Sequence, residues 1–490
     1  MELHNPRHIL TIGFGILIQT LLSIASFRLV TTFLSPAEMG RYWLIVSVTT
    51  AFAMILINPI GMYVNRRLAE WKAAGSLWRN FKLYWKYLAM VATAAAIILF
   101  ALNQTDILGL RIETLWLIAL VSSFLLFNTA NVTLVTALNL FGERWKFVLT
   151  NNLTEFCGII ISVALVCLFS PSAEYWLAGQ IAAYAGVLVL TYRMLKPAAP
   201  DSSSANAEPF LKRLSLDGLF SSTVFHYSWP ISISVGLYWI QIQGYRFALS
   251  HIADIKAVGF FATSFAVGIS IMSAFDGLLG QFYQPVFYND VANSDEAGQA
   301  LAWEKYASFY CPAAVLMGAF GVAAGPLLLP LMTGKQFHAF AWLAAWGALT
   351  ESVRMINSTY GLVAHARLKM RPTITPGITG AAATILAVVL LARWNVFLGT
   401  AIALLLGMLL STLHLAFNMH RLLSVRFPIK RCLKAALFAL PLGLMPAAAR
   451  LRIPIPNIIL IAAIFLIFGL YVLLAQWILA KPCLALGETS

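Results

Sequence analysis

A chain of 490 residues that is 60% hydrophobic and only 11% charged, with a mean hydropathy of +0.81, is not a soluble protein. Soluble domains carry about 25% charged residues and could not hide so many apolar side chains, so composition excludes that class outright. The formal net charge of +14 would suit a nucleic-acid binder. Most of the basic residues, however, cluster in segments assigned to the cytoplasm, which is the positive-inside bias of membrane proteins and calls for no nucleic-acid partner.

In hydrocarbon every backbone polar group must be paired internally, which leaves helices or a closed barrel. Uninterrupted apolar runs such as Ile458 to Leu474 lack the alternation of barrel strands. The expected fold class is therefore an all-α polytopic membrane protein. A window near 19 residues places about fourteen transmembrane helices. They start near Ile9, Tyr42, Tyr84, Leu115, Phe147, Tyr175, Val224, Ala257, Ala307, Phe340, Thr373, Val396, Leu433 and Asn457.

At the N-terminus, Ile9 to Ala25 is apolar and Ser23-Ile24-Ala25 has a small-x-small pattern, but residues 26–34 continue the run. The segment reads as an uncleaved first span. Arg28 lies within it, with Thr31 and Thr32 on the same face. Ser35-Pro36-Ala37-Glu38 then has capping-box spacing with proline at the first helical position, so Ser35 should accept from a free backbone N–H and Glu38 should reach back to the cap. A related stretch returns as Tyr245-Arg246 through Gly259-Phe260-Phe261, and Arg28 to Gly40 matches Arg246 to Gly259 with a single insertion. Similarity at so long a period suggests a duplicated lobe.

In span 4, Asn128 and Asn131 are read either as interhelical hydrogen-bond formers or as ligand contacts. Span 5 carries Asn151, Asn152 and Glu155 on one face. Lys196 to Asp217, rich in Pro, Ser and Ala, reads as a flexible linker. The expected organisation is a six-helix lobe over 1–195, a cytoplasmic linker over 196–217, a second six-helix lobe over 218–420, and two extra helices with a cytoplasmic tail over 421–490.

Span 7 holds Arg246, with Gln243 and Ser250 on its face, and span 8 holds Asp276. Span 10 carries Glu351, Arg354, Ser358 and His365 at helical spacing. Charges in spans are costly, roughly 2.5 kcal/mol or more near the bilayer centre, so they usually face a partner or a wet cavity. Two readings stand for each. Arg28 and Arg246 either snorkel to headgroups or line a cavity. Glu351 and Arg354 either neutralise each other or line it as well. Glu155, Asp276 and Glu351 are candidates for H⁺ or Na⁺ coupling, or else helix-end and paired carboxylates. No P-loop, HExxH or GxSxG motif occurs, and no CxxC spacing, so no catalytic residue, metal or organic cofactor is expected.

Arg28-x7-Pro36-x-Glu38-x-Gly40-x-Tyr42, Asn58-Pro59-Ile60-Gly61 late in span 2, and the basic loop of Arg66, Arg67, Lys72, Arg79, Lys82 and Lys86 together resemble the start of Wzx-type polysaccharide and O-antigen flippases. These belong to the multidrug/oligosaccharidyl-lipid/polysaccharide (MOP) exporter superfamily, which also contains the lipid II flippases. The resemblance implies two pseudo-symmetric six-helix bundles, like those of MATE transporters and lipid II flippases, plus two C-terminal helices. It implies alternating access, in which an undecaprenyl-diphosphate-linked oligosaccharide moves from the cytoplasmic to the outer leaflet of a bacterial inner membrane. An even number of spans with a basic cytoplasmic side puts both termini in the cytoplasm, and the resemblance adds a polysaccharide polymerase and a chain-length regulator as partners.

Family members hold the diphosphate with cavity arginines, and Arg28 matches one of them. At span 8, where a cation is expected, this sequence has Asp276 instead. Arg246, Arg354, Glu351, Gln243, Ser358 and Asn131 join the expected substrate-binding set from position alone. The rival readings are an ion-coupled small-molecule or drug antiporter of the same superfamily, and a membrane glycosyltransferase or polymerase. The latter would need a large external loop.

Overall fold

The computed structural model describes residues 6–105, 109, 112–196, 223–292, 294–367, 369–448 and 457–484, and among them every regular element is a helix. In chain order these are α1 (Pro6–Phe33), α2 (Pro36–Ala73, with a π-helical segment at Ala53–Ile57), α3 (Leu77–Gln104), α4 (Thr114–Leu140), α5 (Arg144–Leu168) and α6 (Ala173–Leu195). After them come α7 (Thr223–Gln243), α8 (Tyr245–Ile252), α9 (Ile255–Ala292), α10 (Glu296–Met332), α11 (Trp342–Ala366), α12 (Ile374–Leu391), α13 (Val396–Leu422), α14 (Ile429–Ala448) and α15 (Asn457–Leu484).

Eleven helices among the described residues are long and apolar enough to cross a bilayer, which takes about 20 residues at 1.5 Å each. Twelve of the fourteen expected span starts fall inside these helices, and Phe340 and Thr373 fall in the short 3-10 turns Lys335–Phe340 and Arg371–Thr373 just before α11 and α12. The spans expected on α7, α11 and α15 lie outside the eleven, and α11 carries Glu351, Arg354 and His365. The protein is a multi-pass membrane protein.

The chain divides into two compact units, Met1–Trp239 and Ile240–Ser490. Most of the expected linker, residues 197–217, lies outside the described residues. The division falls within α7, and Trp239 at the end of the first unit donates its Nε1–H to the Ser47 carbonyl of α2 at 2.9 Å.

In the first unit α6 packs against α4 and α5, and α1 packs against α5. In the second unit α11 packs against α9, α10 and α13, while α14 and α15 pack on α10. Two glycines set the α9–α11 contact. A Cβ added at Gly268 would collide with the Ala344 carbonyl oxygen, and one at Gly347 with the Phe265 carbonyl oxygen. Small residues let membrane helices approach backbone to backbone, since burial from water does not drive their association. Contacts advance together along both helices, from Phe265 with Gly347 to Asp276 with Arg354, so the two run in the same direction.

The repeated stretch has a common local structure. Ser35 caps α2, accepting from Glu38 N–H at 3.3 Å, and Asp254 caps α9, accepting from Ala257 N–H at 2.7 Å. Gly40 and Gly259 stand at the same distance beyond their caps, and both are buried. The reciprocal half of the expected capping box is replaced. Glu38 Oε1 instead takes Arg41 at 2.7 Å, and Oε2 accepts the Ala173 N–H at 3.0 Å. One carboxylate thereby serves the N-termini of α2 and α6, where helix dipoles favour negative charge.

Candidate functional site

The close approach at Gly268 and Gly347 carries Asp276 and Arg354 into contact farther along the same faces. Met272 and Asp276 follow Gly268 at helical spacing, as Glu351 and Arg354 follow Gly347. Arg354 Nη2 bonds Asp276 Oδ2 at 2.5 Å, Nε bonds Glu351 Oε1 at 2.7 Å, and Nη1 bonds Ser358 Oγ at 3.0 Å. Ser273 Oγ donates to the same Glu351 oxygen at 3.0 Å, and Tyr310 of α10 donates its O–H to Asp276 Oδ1.

The side chains are largely sequestered: Glu351 is 8% exposed, Arg354 18% and Asp276 23%. One guanidinium thus meets two carboxylates, which leaves a formal surplus of one negative charge. Each buried ion has a partner, as desolvation demands.

An open recess of about 580 Å³ lies beside the network, lined along α9 by Asp276, Gly280, Gln281, Gln284 and Tyr288. Its polar groups can accept and donate hydrogen bonds to a hydrophilic ligand. No group of three or more metal-ligating side chains occurs among the described residues.

Of the expected site residues, the structure brings Asp276, Glu351, Arg354 and Ser358 together. Arg246 and Gln243 form a separate pair in the second unit. Arg246 is 8% exposed, its Nη1 donates to Gln243 Oε1 at 3.1 Å, and its Nε lies 3.4 Å from Tyr245 Oη. Ser250, expected beside Arg246, donates to the Phe247 carbonyl of its own helix.

Arg28 is half-buried in the first unit, and the Thr31 and Thr32 hydroxyls bond back to its carbonyl at 3.1 and 2.6 Å. Asn131 is 3% exposed and donates to Thr154 of α5 at 3.2 Å, the interhelical geometry. Glu155 stands beside Ser23 of α1. His365 is exposed at the end of α11.

Tyr310 and Ser273 escaped the sequence reading. Ser273 was legible as the residue one turn before Asp276. Tyr310 was not, because an aromatic in an apolar run reads as packing. The only clue is that a phenolic O–H buried in a span needs an acceptor.

No family model matches the sequence, and no curated protein matches it significantly. Solved structures do match over most of its length. The lipid II flippase MurJ in an inward-closed conformation superposes with a TM-score of 0.54 at 14% identity, over 96% of this chain and 98% of that chain. An inward-facing multidrug-resistance MATE family transporter of the MOP superfamily gives 0.57 at 11% identity, over 85% of this chain and 98% of that chain. The Vibrio cholerae MATE transporter VcmN gives 0.51 at 14% identity, over 85% and 95%. These neighbours are transporters and flippases, and the chain has the fold that they share.

Proposed function

We propose that the protein is a flippase that moves an undecaprenyl-diphosphate-linked oligosaccharide from the cytoplasmic to the outer leaflet of a bacterial inner membrane by alternating access. The observation that carries this reading is the extent of the likeness to MurJ: it covers 96% of the chain, against 85% for the MATE transporters. The difference is about the size of two helices, as α14 and α15 would supply. The Wzx-like opening motif supports the same reading.

The chemistry is one of positioning, with no bond made or broken. A diphosphate cannot enter hydrocarbon unshielded, and arginine offers forked, permanently charged donors to it. Arg28, Arg246 and Arg354 are the proposed diphosphate ligands, with Gln243, Ser358 and Glu351 toward the sugars, while Asn131 is spent on its interhelical bond to Thr154. Glu155, Asp276 and Glu351 are the proposed sites of H⁺ or Na⁺ coupling. Both termini would be cytoplasmic, and a polysaccharide polymerase and a chain-length regulator would act on the exported unit.

The test is deletion of the gene in its native host. Loss of surface polysaccharide, with lipid-linked repeat units accumulating on the cytoplasmic face, is expected. Normal polymer with no accumulated intermediate, in a host lacking a second flippase, would sink the reading.

An ion-coupled small-molecule antiporter is the second reading. It is favoured by the MATE TM-score of 0.57 and by the surplus carboxylate of the buried network. Drug sensitivity in the deletion strain with normal polysaccharide would select it.

A further inference from the structure

The two carboxylates on Arg354 are not equivalent. Glu351 belongs to the same helix at i+3 spacing, is 8% exposed, and is held a second time by Ser273. Asp276 comes from a different helix, is 23% exposed, and lines the open recess. A ligand arriving through that recess meets the Asp276–Arg354 bond first, and it meets it from the carboxylate side.

Three features suit that bond to exchange. The cluster has one cation against two anions, so a further anion is repelled unless a carboxylate gives way. If Asp276 releases Arg354, Tyr310 still donates to its other oxygen, so the displaced carboxylate is not left unpartnered in the interior. The Arg354 edge that would be freed, Nη2, is one arm of a planar fork suited to phosphate oxygens. Gln281, Gln284 and Tyr288 add neutral polar groups to the recess, beside Gly277, Gly280 and Pro285.

We propose that Asp276 is an internal competitor for the substrate's diphosphate. It occupies Arg354 in the empty protein, yields it when a diphosphate enters the recess, and retakes it on release. This rests on the flippase reading for the lipid to which the diphosphate is attached. The competition sets affinity and specificity together. It weakens binding by the fraction of time that Arg354 is engaged, which lets a transporter release its cargo, and it favours ligands with enough charge to displace a carboxylate.

The test is binding to the purified full-length protein in nanodiscs, measured by calorimetry with inorganic pyrophosphate and, separately, with farnesyl diphosphate. Asp276→Asn removes the competing charge at nearly constant volume and should tighten both ligands by about tenfold. Combining it with Arg354→Gln should abolish that gain. Tyr310→Phe removes the alternative anchor of Asp276 and should weaken both ligands several-fold, which gives a second measurement should Asp276→Asn fail to fold.

Unchanged or weaker binding by a folded Asp276→Asn protein overturns the proposal, as does a gain that survives Arg354→Gln, or Tyr310→Phe binding as wild type does. Tightening confined to pyrophosphate would assign the recess to a free anion and overturn its role toward a lipid headgroup. Normal flipping in the host without the tightening would remove this inference alone. Tightening without accumulated lipid in the deletion strain would keep the exchange and remove the flippase.

Discussion

Arg354 and Asp276 stand on two helices that run in the same direction, with Nη2 and Oδ2 2.5 Å apart. Asp276 replaces the cation that the family resemblance leads one to expect at span 8. It supplies countercharge to an arginine two spans later, so the departure from the pattern and the unusual charge on α11 are one feature.

Arg354→Ala should destabilise the protein by about 3–5 kcal/mol, because it leaves two carboxylates facing each other with no cation. Thermal unfolding in detergent should show the loss, and Asp276→Asn in the same chain should restore part of it. A single variant as stable as wild type would mean that the network is too well hydrated to act as a buried one.

Gly268→Val should cost about 1–3 kcal/mol by overpacking, since any Cβ there collides with the Ala344 carbonyl. Gly277 is the control. A Cβ added there meets nothing within 4 Å, so Gly277→Ala should be neutral within about 0.5 kcal/mol. Equal melting temperatures for the two would refute the close approach of α9 and α11.

Glu38→Ala should cost about 1 kcal/mol by leaving the Ala173 N–H uncapped and Arg41 unpaired. Hydrogen exchange should quicken at residues 172–176, at the start of α6, well away in sequence from the substitution. If exchange quickens only around residues 36–40, Glu38 serves its own helix alone.

In the deletion host, Arg28→Ala, Arg246→Ala and Arg354→Ala proteins present at wild-type levels should each fail to restore surface polysaccharide. Lys at Arg354 should restore it only partly, because a point charge replaces a fork. Full restoration by any alanine variant would take that arginine off the substrate's path.

Much of this was legible in the sequence. The cap at Ser35, the polar stripe of Glu351, Arg354 and Ser358, and the shared face of Gln243 and Arg246 all depend on residues a few positions apart. For these, helix geometry is enough to place side chains on a common face. Thr31 and Thr32 illustrate the limit even at short range. Their shared face was readable, but their hydroxyls turn back to the helix carbonyls, as threonine in a helix often does.

The sequence by itself determined the membrane class and the helical character, because a bilayer admits few alternatives to long apolar helices with internally paired backbones. It also determined where most of the helices run. Only the tertiary structure decided that Asp276 pairs with Arg354 and takes the Tyr310 hydroxyl, that Glu38 caps α6, and that Asn131 turns to Thr154. These contacts depend on how each helix is rotated about its axis and how closely its neighbour approaches. Both are set by the packing of small residues such as Gly268 and Gly347 against distant backbones, and no local pattern encodes that.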